Sequence, residues 1–185
     1  MKIGLIIGSL RKDSFNRKIA HILIKRAPKS LDMNIIEIKN LPLFNQDDEA
    51  NPPQEWVQFR EEIKPLEGFI LLTPEYNRSV PAALKNALDV GSRPYGENLW
   101  NCKPCAIISA SVGAIGGFGA NHHLRQCMVF LNAPCIQQPE VYLSFVDKLF
   151  NDKGQLNNEG TEQFLGKFME AFAKWVKTNH TETKL

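Results

Sequence analysis

Three short stretches of unbroken apolarity constrain this chain more than anything else in it. Residues 3–7 are nearly continuous, Gly68–Thr73 reads Gly-Phe-Ile-Leu-Leu-Thr, and Cys105–Ala110 repeats the pattern. A strand with one wet face alternates apolar and polar residues. A continuous run is covered on both faces, as in a parallel sheet flanked by helices. Two weaker strands are expected at 33–38 and near 134–137.

The segments between these runs change to helical spacing. Ile19, Ile22, Leu23 and Ala27 precede a stop at Pro28. Trp56, Val57, Phe59 and Ile63 follow Pro52-Pro53, and Ala82, Ala83, Leu84, Ala87, Leu88 and Val90 follow Pro81. Leu124, Met128, Val129 and Leu131 mark a fourth helix. Residues 159–176 carry Phe164, Leu165, Phe168, Met169, Phe172, Trp175 and Val176 as a fifth. Strand and helix thus alternate five times, which calls for right-handed crossovers and helices on both faces. The expected fold class is α/β: a flavodoxin-like three-layer sandwich around a five-stranded parallel sheet of order 2-1-3-4-5. A length of 185 residues suits one domain. The expected domain spans 1–177, with 178–185 a frayed polar tail.

Composition removes several function classes. The 22 cations and 20 anions are too balanced for a dedicated nucleic-acid binder. No apolar run approaches the roughly 18 residues of a membrane span. The N-terminus reads as an immediate strand, not a leader, and four cysteines are too few for a disulfide scaffold. The expectation is a reduced, cytoplasmic protein without nucleic-acid or membrane partners.

In open α/β sheets ligands bind beyond the carboxyl ends of the strands, at the reversal of strand order. Three loops fall there. Gly8-Ser9-Leu10-Arg11-Lys12-Asp13-Ser14-Phe15-Asn16 offers hydroxyls, an amide, two cations and a helix start, which are the donors an anion needs. The same residues also fit a plain capped helix, with Ser14 or Asp13 as the cap. Thr73-Pro74-Glu75-Tyr76-Asn77-Arg78-Ser79-Val80-Pro81 holds an aromatic and amide donors between prolines that limit its conformations. On residue types alone it reads first as a rigid turn before a proline-started helix, and as a platform for a flat heterocycle second. Ser111 and the glycines Gly113, Gly116, Gly117 and Gly119 permit close approach to the backbone, without matching a dinucleotide fingerprint.

The joint spacing of Gly8-Ser9-Leu10-Arg11-Lys12-x-Ser14-x-Asn16, Thr73-Pro74-Glu75-Tyr76-Asn77-x-Ser79-x-Pro81-x-x-Leu84-Lys85-Asn86-Ala87-x-Asp89 and Ser111-x-Gly113-x-x-Gly116-Gly117 resembles the NAD(P)H-dependent FMN reductases. The bacterial chromate/quinone reductase and azoreductase branch is the nearest likeness, helped by His123-Leu124-Arg125-Gln126 and Pro139-Glu140. The resemblance covers about residues 3–145. It implies non-covalent FMN, with Ser9, Arg11, Ser14, Phe15 and Asn16 around the phosphate. Pro74, Glu75, Tyr76 and Asn77 would line the isoalloxazine, and Ser111, Gly113, Gly116 and Gly117 would close the other side. Asp13 stands where the family usually has glycine.

The resemblance further implies an enzyme that takes a hydride from NAD(P)H onto FMN N5. It then reduces a quinone, azo compound, free flavin or metal oxyanion by a ping-pong scheme. The cofactor carries that chemistry, so no catalytic side chain is assigned; Tyr76 and Arg78 are the candidates for substrate contact. It implies a homodimer or homotetramer as well. A flavodoxin-type electron carrier and a flavin-free nucleotide-binding module are the alternatives, and the +2 charge weighs against the first. No metal site is expected. Cys102-Lys103-Pro104-Cys105 precedes a strand rather than opening a helix, and the adjacent His122 and His123 face different sides of theirs. Cys127 and Cys135 read as small packing residues, Asp47-Asp48-Glu49 as a solvated loop, and the helix at about 119–131 as a face for a partner subunit.

Overall fold

Every residue of β3 (Gly68–Thr73) and β4 (Cys105–Ala110) is buried. The computed structural model, which describes residues 1–180, shows why. These strands lie in the interior of a parallel sheet and are covered from both sides. The sheet also contains β1 (Lys2–Ile7), β2 (Asp32–Ile36) and β5 (Val141–Leu143), in the order 2-1-3-4-5, every neighbouring pair parallel. The intervening helices are α1 (Phe15–Arg26), α2 (Gln54–Ile63), α3 (Ala82–Gly91), α4 (Phe118–Phe130) and α5 (Glu159–Asn179). This is the flavodoxin-like arrangement that the alternation of elements predicts.

The pleat sends successive side chains to opposite layers. Leu5, Ile70, Leu72 and Ile108 pack with Ile19 and Leu23 of α1 and Phe168 and Phe172 of α5. Ile6, Phe69, Leu71 and Ile107 pack with Trp56 and Phe59 of α2, Leu84 and Leu88 of α3, and Leu124 and Met128 of α4. Trp100 anchors the second layer. It is fully buried, its ring centroid lies 4.9 Å from that of Phe69, and its Nε1 donates to Leu88 O at 2.9 Å. A Cβ on Gly91 would stand 2.5 Å from the Trp100 ring, so the last turn of α3 accepts no larger residue there.

The fifth strand departs from expectation. Residues 134–137 make a single bridge, Cys135 opposite Cys105, and the ladder resumes only at Val141 opposite Ile108. Three more residues are used on the 135–141 side than on β4, so the chain leaves the sheet and returns. Pro134 and Pro139 lack N–H groups, and Gln137 and Gln138 are exposed. The second strand ends at Ile36, two residues short of the expected 38, although Ile38 is buried. Val57 and Val129, counted in the helical spacing, are 38% and 84% exposed. Asp47-Asp48-Glu49 is no free loop. Gln46–Asp48 forms a 3-10 turn capped by Asn45, and Glu49 pairs with Arg93 at 2.6 Å. Finally, α5 continues to Asn179, so residues 178 and 179 are helical, while 181–185 of the expected tail lie outside the described residues.

Candidate active site

The three loops expected to carry chemistry meet over the carboxyl ends of β1, β3 and β4. The first is held to the sheet by Gly8 N–H, which donates to Leu72 O at 2.8 Å. It ends at Ser14, the N-cap of α1, whose Oγ accepts from Arg17 N at 3.3 Å. Asp13 is exposed and does not cap. The N–H groups of Phe15 and Asn16 lie in the first turn, where no intrahelical acceptor exists. Ser9, Ser14 and Asn16 are all buried, and the Oδ1 of Asn16 is the one buried side-chain polar atom without a partner among the described residues. A buried amide is costly unless it is hydrogen-bonded, so this one is poised for something that enters the cleft.

The second loop is a small hairpin. Tyr76 N and Ser79 O are 3.0 Å apart, Ser79 N and Tyr76 O 2.9 Å. Asn77 and Arg78 between them have φ of 51° and 65°, the type I′ geometry that two-residue hairpins favour. The turn holds Tyr76 at the rim of the cleft, 47% exposed. Glu75 lines the cleft and has a second partner as well. Its side chain is buried and reaches α4, where the carboxylate accepts from Ala120 N at 3.1 Å. It also takes Arg78 Nη1 at 3.2 Å. Gly117, the N-cap of α4, has no side chain to offer, so Glu75 supplies both the missing acceptor and the negative charge a helix N-terminus favours. Gly119 is needed for this approach, because a Cβ there would meet Arg78 O at 2.7 Å.

The third loop turns on Ser111, whose Oγ accepts from Gly113 N at 3.1 Å. Gly116 and Gly117 have φ of 59° and 77° and sit buried against Tyr142 and Ser109. They shape the loop from beneath. His122 and His123 face different partners: His122 Nε2 lies 3.0 Å from Tyr142 Oη, and His123 Nδ1 lies 2.9 Å from Ser79 Oγ. Burial, reinforced by Glu140, pushes the Tyr142 phenol up to about 12.

Together the loops enclose a cleft of about 160 Å³. Of the residues expected from sequence, Ser9, Arg11, Ser14, Phe15, Asn16, Pro74, Glu75, Tyr76 and Ser111 line it. Asn77, Arg78, Gly113, Gly116 and Gly117 do not; they set the course of loops whose other residues do. Ala110, Val112 and Val146 line it without having been singled out. Ala110 ends β4, and the strand-end rule marks its position. Val146 follows β5 and is brought in only by the fold, with its N–H donating to Ser111 O at 3.1 Å.

The cleft suits FMN by its donors. A helix N-terminus, two serines and Arg11 surround the place for a phosphate, and the orphaned Asn16 Oδ1 beside them can accept from a hydroxyl of the same ligand. Pro74, Tyr76 and Val112 flank the wider rim, where a flat ring fits.

The family model of the NADPH-dependent FMN reductases matches residues 1–148. The chain is 54% identical to a quinone reductase of Pseudomonas putida over 178 residues, covering 96% of this chain and 95% of that one. It is 41% identical to a 2-hydroxy-1,4-benzoquinone reductase of a Burkholderia species, covering 96% and 97%. Among solved structures, FerB, a flavoenzyme NAD(P)H:(acceptor) oxidoreductase from Paracoccus denitrificans, superposes with a TM-score of 0.90 at 34% identity, covering 97% and 99%. Fold, cleft and sequence agree: this chain belongs to the NADPH-dependent FMN reductase family.

Proposed function

We propose that the chain is an FMN-dependent NAD(P)H:quinone oxidoreductase. The observation that carries this reading is the α1 N-terminus with Ser9, Ser14 and Arg11 beside it, inside a cleft whose rim is open and aromatic. The quinone class is supported by the names of the Pseudomonas and Burkholderia relatives. FMN, when bound, accepts a hydride from the nicotinamide and hands reducing equivalents to the acceptor.

The chain's own contribution is binding and positioning. Ser9, Ser14, Asn16, Arg11 and the first-turn N–H groups of α1 hold the phosphate. Pro74, Tyr76, Ser111 and Val112 hold the ring. The Tyr76–Ser79 hairpin is braced by Glu75 and by His123, so the platform keeps its shape while substrates exchange. One open cleft would serve donor and acceptor in turn, the arrangement that a ping-pong scheme needs. Azo compounds, free flavin and metal oxyanions would enter the same opening. The outward face of α4 carries Phe118, His122, Val129 and Phe130, which supports self-association.

The decisive experiment is an absorbance spectrum of protein purified without added flavin, followed by anaerobic NADPH, then NADH, then a quinone. Flavin bands that bleach with a nucleotide and return with the quinone are expected. Bands that stay oxidised with both nucleotides would point to an electron carrier. A colourless protein that takes up no FMN would overturn the flavin assignment.

A further inference from the structure

The sequence spacing pairs Cys105 with Cys102, but the fold pairs it with a different thiol. Cys102 has a left-handed backbone, φ 59°, and its sulfur lies beside the amides of Asn101 and Asn132. Cys105 instead stands opposite Cys135 in a parallel bridge. Cys105 N donates to Pro134 O at 2.9 Å, and Ile136 N donates to Cys105 O at 2.9 Å. Paired residues of a parallel bridge project their side chains to the same face, and both thiols belong to the core under α2, α3 and α4. Adjacent strands run about 4.8 Å apart, inside the Cα separation that a disulfide spans.

The two sulfurs differ in setting. Cys105 is fully buried, with Sγ 3.8 Å from Ala133 O. Cys135 is partly exposed, and Arg125 Nη1 lies 3.8 Å from its Sγ while also donating to Ile136 O at 3.2 Å. Arg125 is held there by Asn121 Oδ1 at 3.1 Å and by Glu140 at 3.6 Å. A hydrogen bond from Cys105 and the nearby guanidinium lower the Cys135 thiol, whereas burial raises Cys105. A partly buried thiol beside a cation, backed by a fully buried second thiol, is the arrangement of an attacking thiol and its resolving partner.

We propose that Cys135 and Cys105 are a peroxide-responsive couple that closes to an intrachain disulfide between β4 and the 134–136 segment. The Cys135 thiolate attacks one oxygen of hydrogen peroxide. An S–O bond forms, the O–O bond breaks, and the departing hydroxide takes up a proton as water. The sulfur is oxidised by two electrons and the peroxide is reduced. Cys105 then attacks that sulfur, the S–S bond forms, the S–O bond breaks, and the second hydroxide leaves with the Cys105 proton as water. Two thiols and one peroxide become a disulfide and two waters. Dithiothreitol reverses the step.

The test does not depend on flavin chemistry, because it reads mass rather than turnover. Reduced protein carrying whatever cofactor it retains is given a small excess of hydrogen peroxide, quenched, alkylated in denaturant and digested without reductant. A linked peptide joining Cys105 to Cys135, lighter by two hydrogens, is expected, with Cys102 and Cys127 alkylated. In Cys105→Ser the link disappears and Cys135 becomes a dimedone-reactive sulfenic acid. In Cys135→Ser neither forms. Arg125→Gln slows the first step about fivefold, provided its far-UV spectrum matches the parent. Peroxide that leaves both thiols alkylatable, a Cys102–Cys105 link, or links only between chains would each overturn the assignment.

Discussion

At the level of single residues, the loop proposed to hold the phosphate was legible as part of the cleft because its residue types state their chemistry. Serines, an amide and an arginine before a helix are anion donors wherever they fall, and Ser9, Arg11, Ser14 and Asn16 do meet in one cleft. Two readings that competed in the sequence also prove compatible: Ser14 caps α1 and lines the cleft at once. Arg11 is exposed and makes no side-chain hydrogen bond among the described residues, so its replacement separates binding from folding. Arg11→Ala is expected to weaken FMN about tenfold by fluorescence titration while leaving the apoprotein melting temperature unchanged. Asn16→Asp keeps the shape of a buried amide and sets a charge beside the phosphate. It is expected to reduce FMN affinity further than Arg11→Ala, and equal or tighter binding would contradict the phosphate placement. Glu75 was illegible for a physical reason. Its partner, Ala120 N, lies 45 residues away, and nothing local to Glu75 announces a helix start on another element.

The elements repeat this division between local and distant causes. β3 and β4 were readable to the residue because burial on both faces leaves an unbroken apolar run. β5 was not, because its three ladder residues follow a detour that Pro134 and Pro139 impose and apolar count alone does not show. The ends of helices carry two predictions. Glu75→Ala removes the carboxylate at the α4 N-terminus and leaves Ala120 N unpaired, which is expected to cost about 1–2 kcal/mol in urea unfolding. Glu75→Gln retains an acceptor and is expected to lose less. At the other end of a helix, Lys103 Nζ donates to Ile63 O at 2.5 Å and Lys64 O at 2.9 Å, closing the last turn of α2. Burial brings its ammonium down to about 8 from the ordinary 10.5. Between those values the unfolded chain holds a proton that the folded chain has released. Stability relative to Lys103→Met should therefore rise with pH from about 8 to 10.5 and be flat below 8. A difference that is constant across that window would contradict it.

For the whole molecule, strand order follows from alternation: five βα units whose strands are covered on both faces leave few right-handed ways to close, and the observed 2-1-3-4-5 sheet is one of them. That order places the cleft at the reversal between β1 and β3, with the N-terminus of α1 lining it. It also turns one face of α4 outward along its whole length. Phe118 lies near the cleft at 51% exposure, and Val129 and Phe130 lie at the far end at 84% and 89%. Val129 fits the helical period, but spacing records that a residue is apolar and not which of two neighbours covers it. A second copy of this chain would cover the stripe and bring its interface up to the rim of the cleft. The wild-type chain is therefore expected to sediment as a dimer or larger at micromolar concentration. A Val129→Lys, Phe130→Lys double variant is expected to sediment as a monomer with an unchanged far-UV spectrum. Lysine suits the comparison because a cation at a helix C-terminus is favourable, so the substitution burdens the interface and not the helix. A wild-type chain that is monomeric throughout that range would remove self-association from the proposal and leave the α4 stripe without a partner.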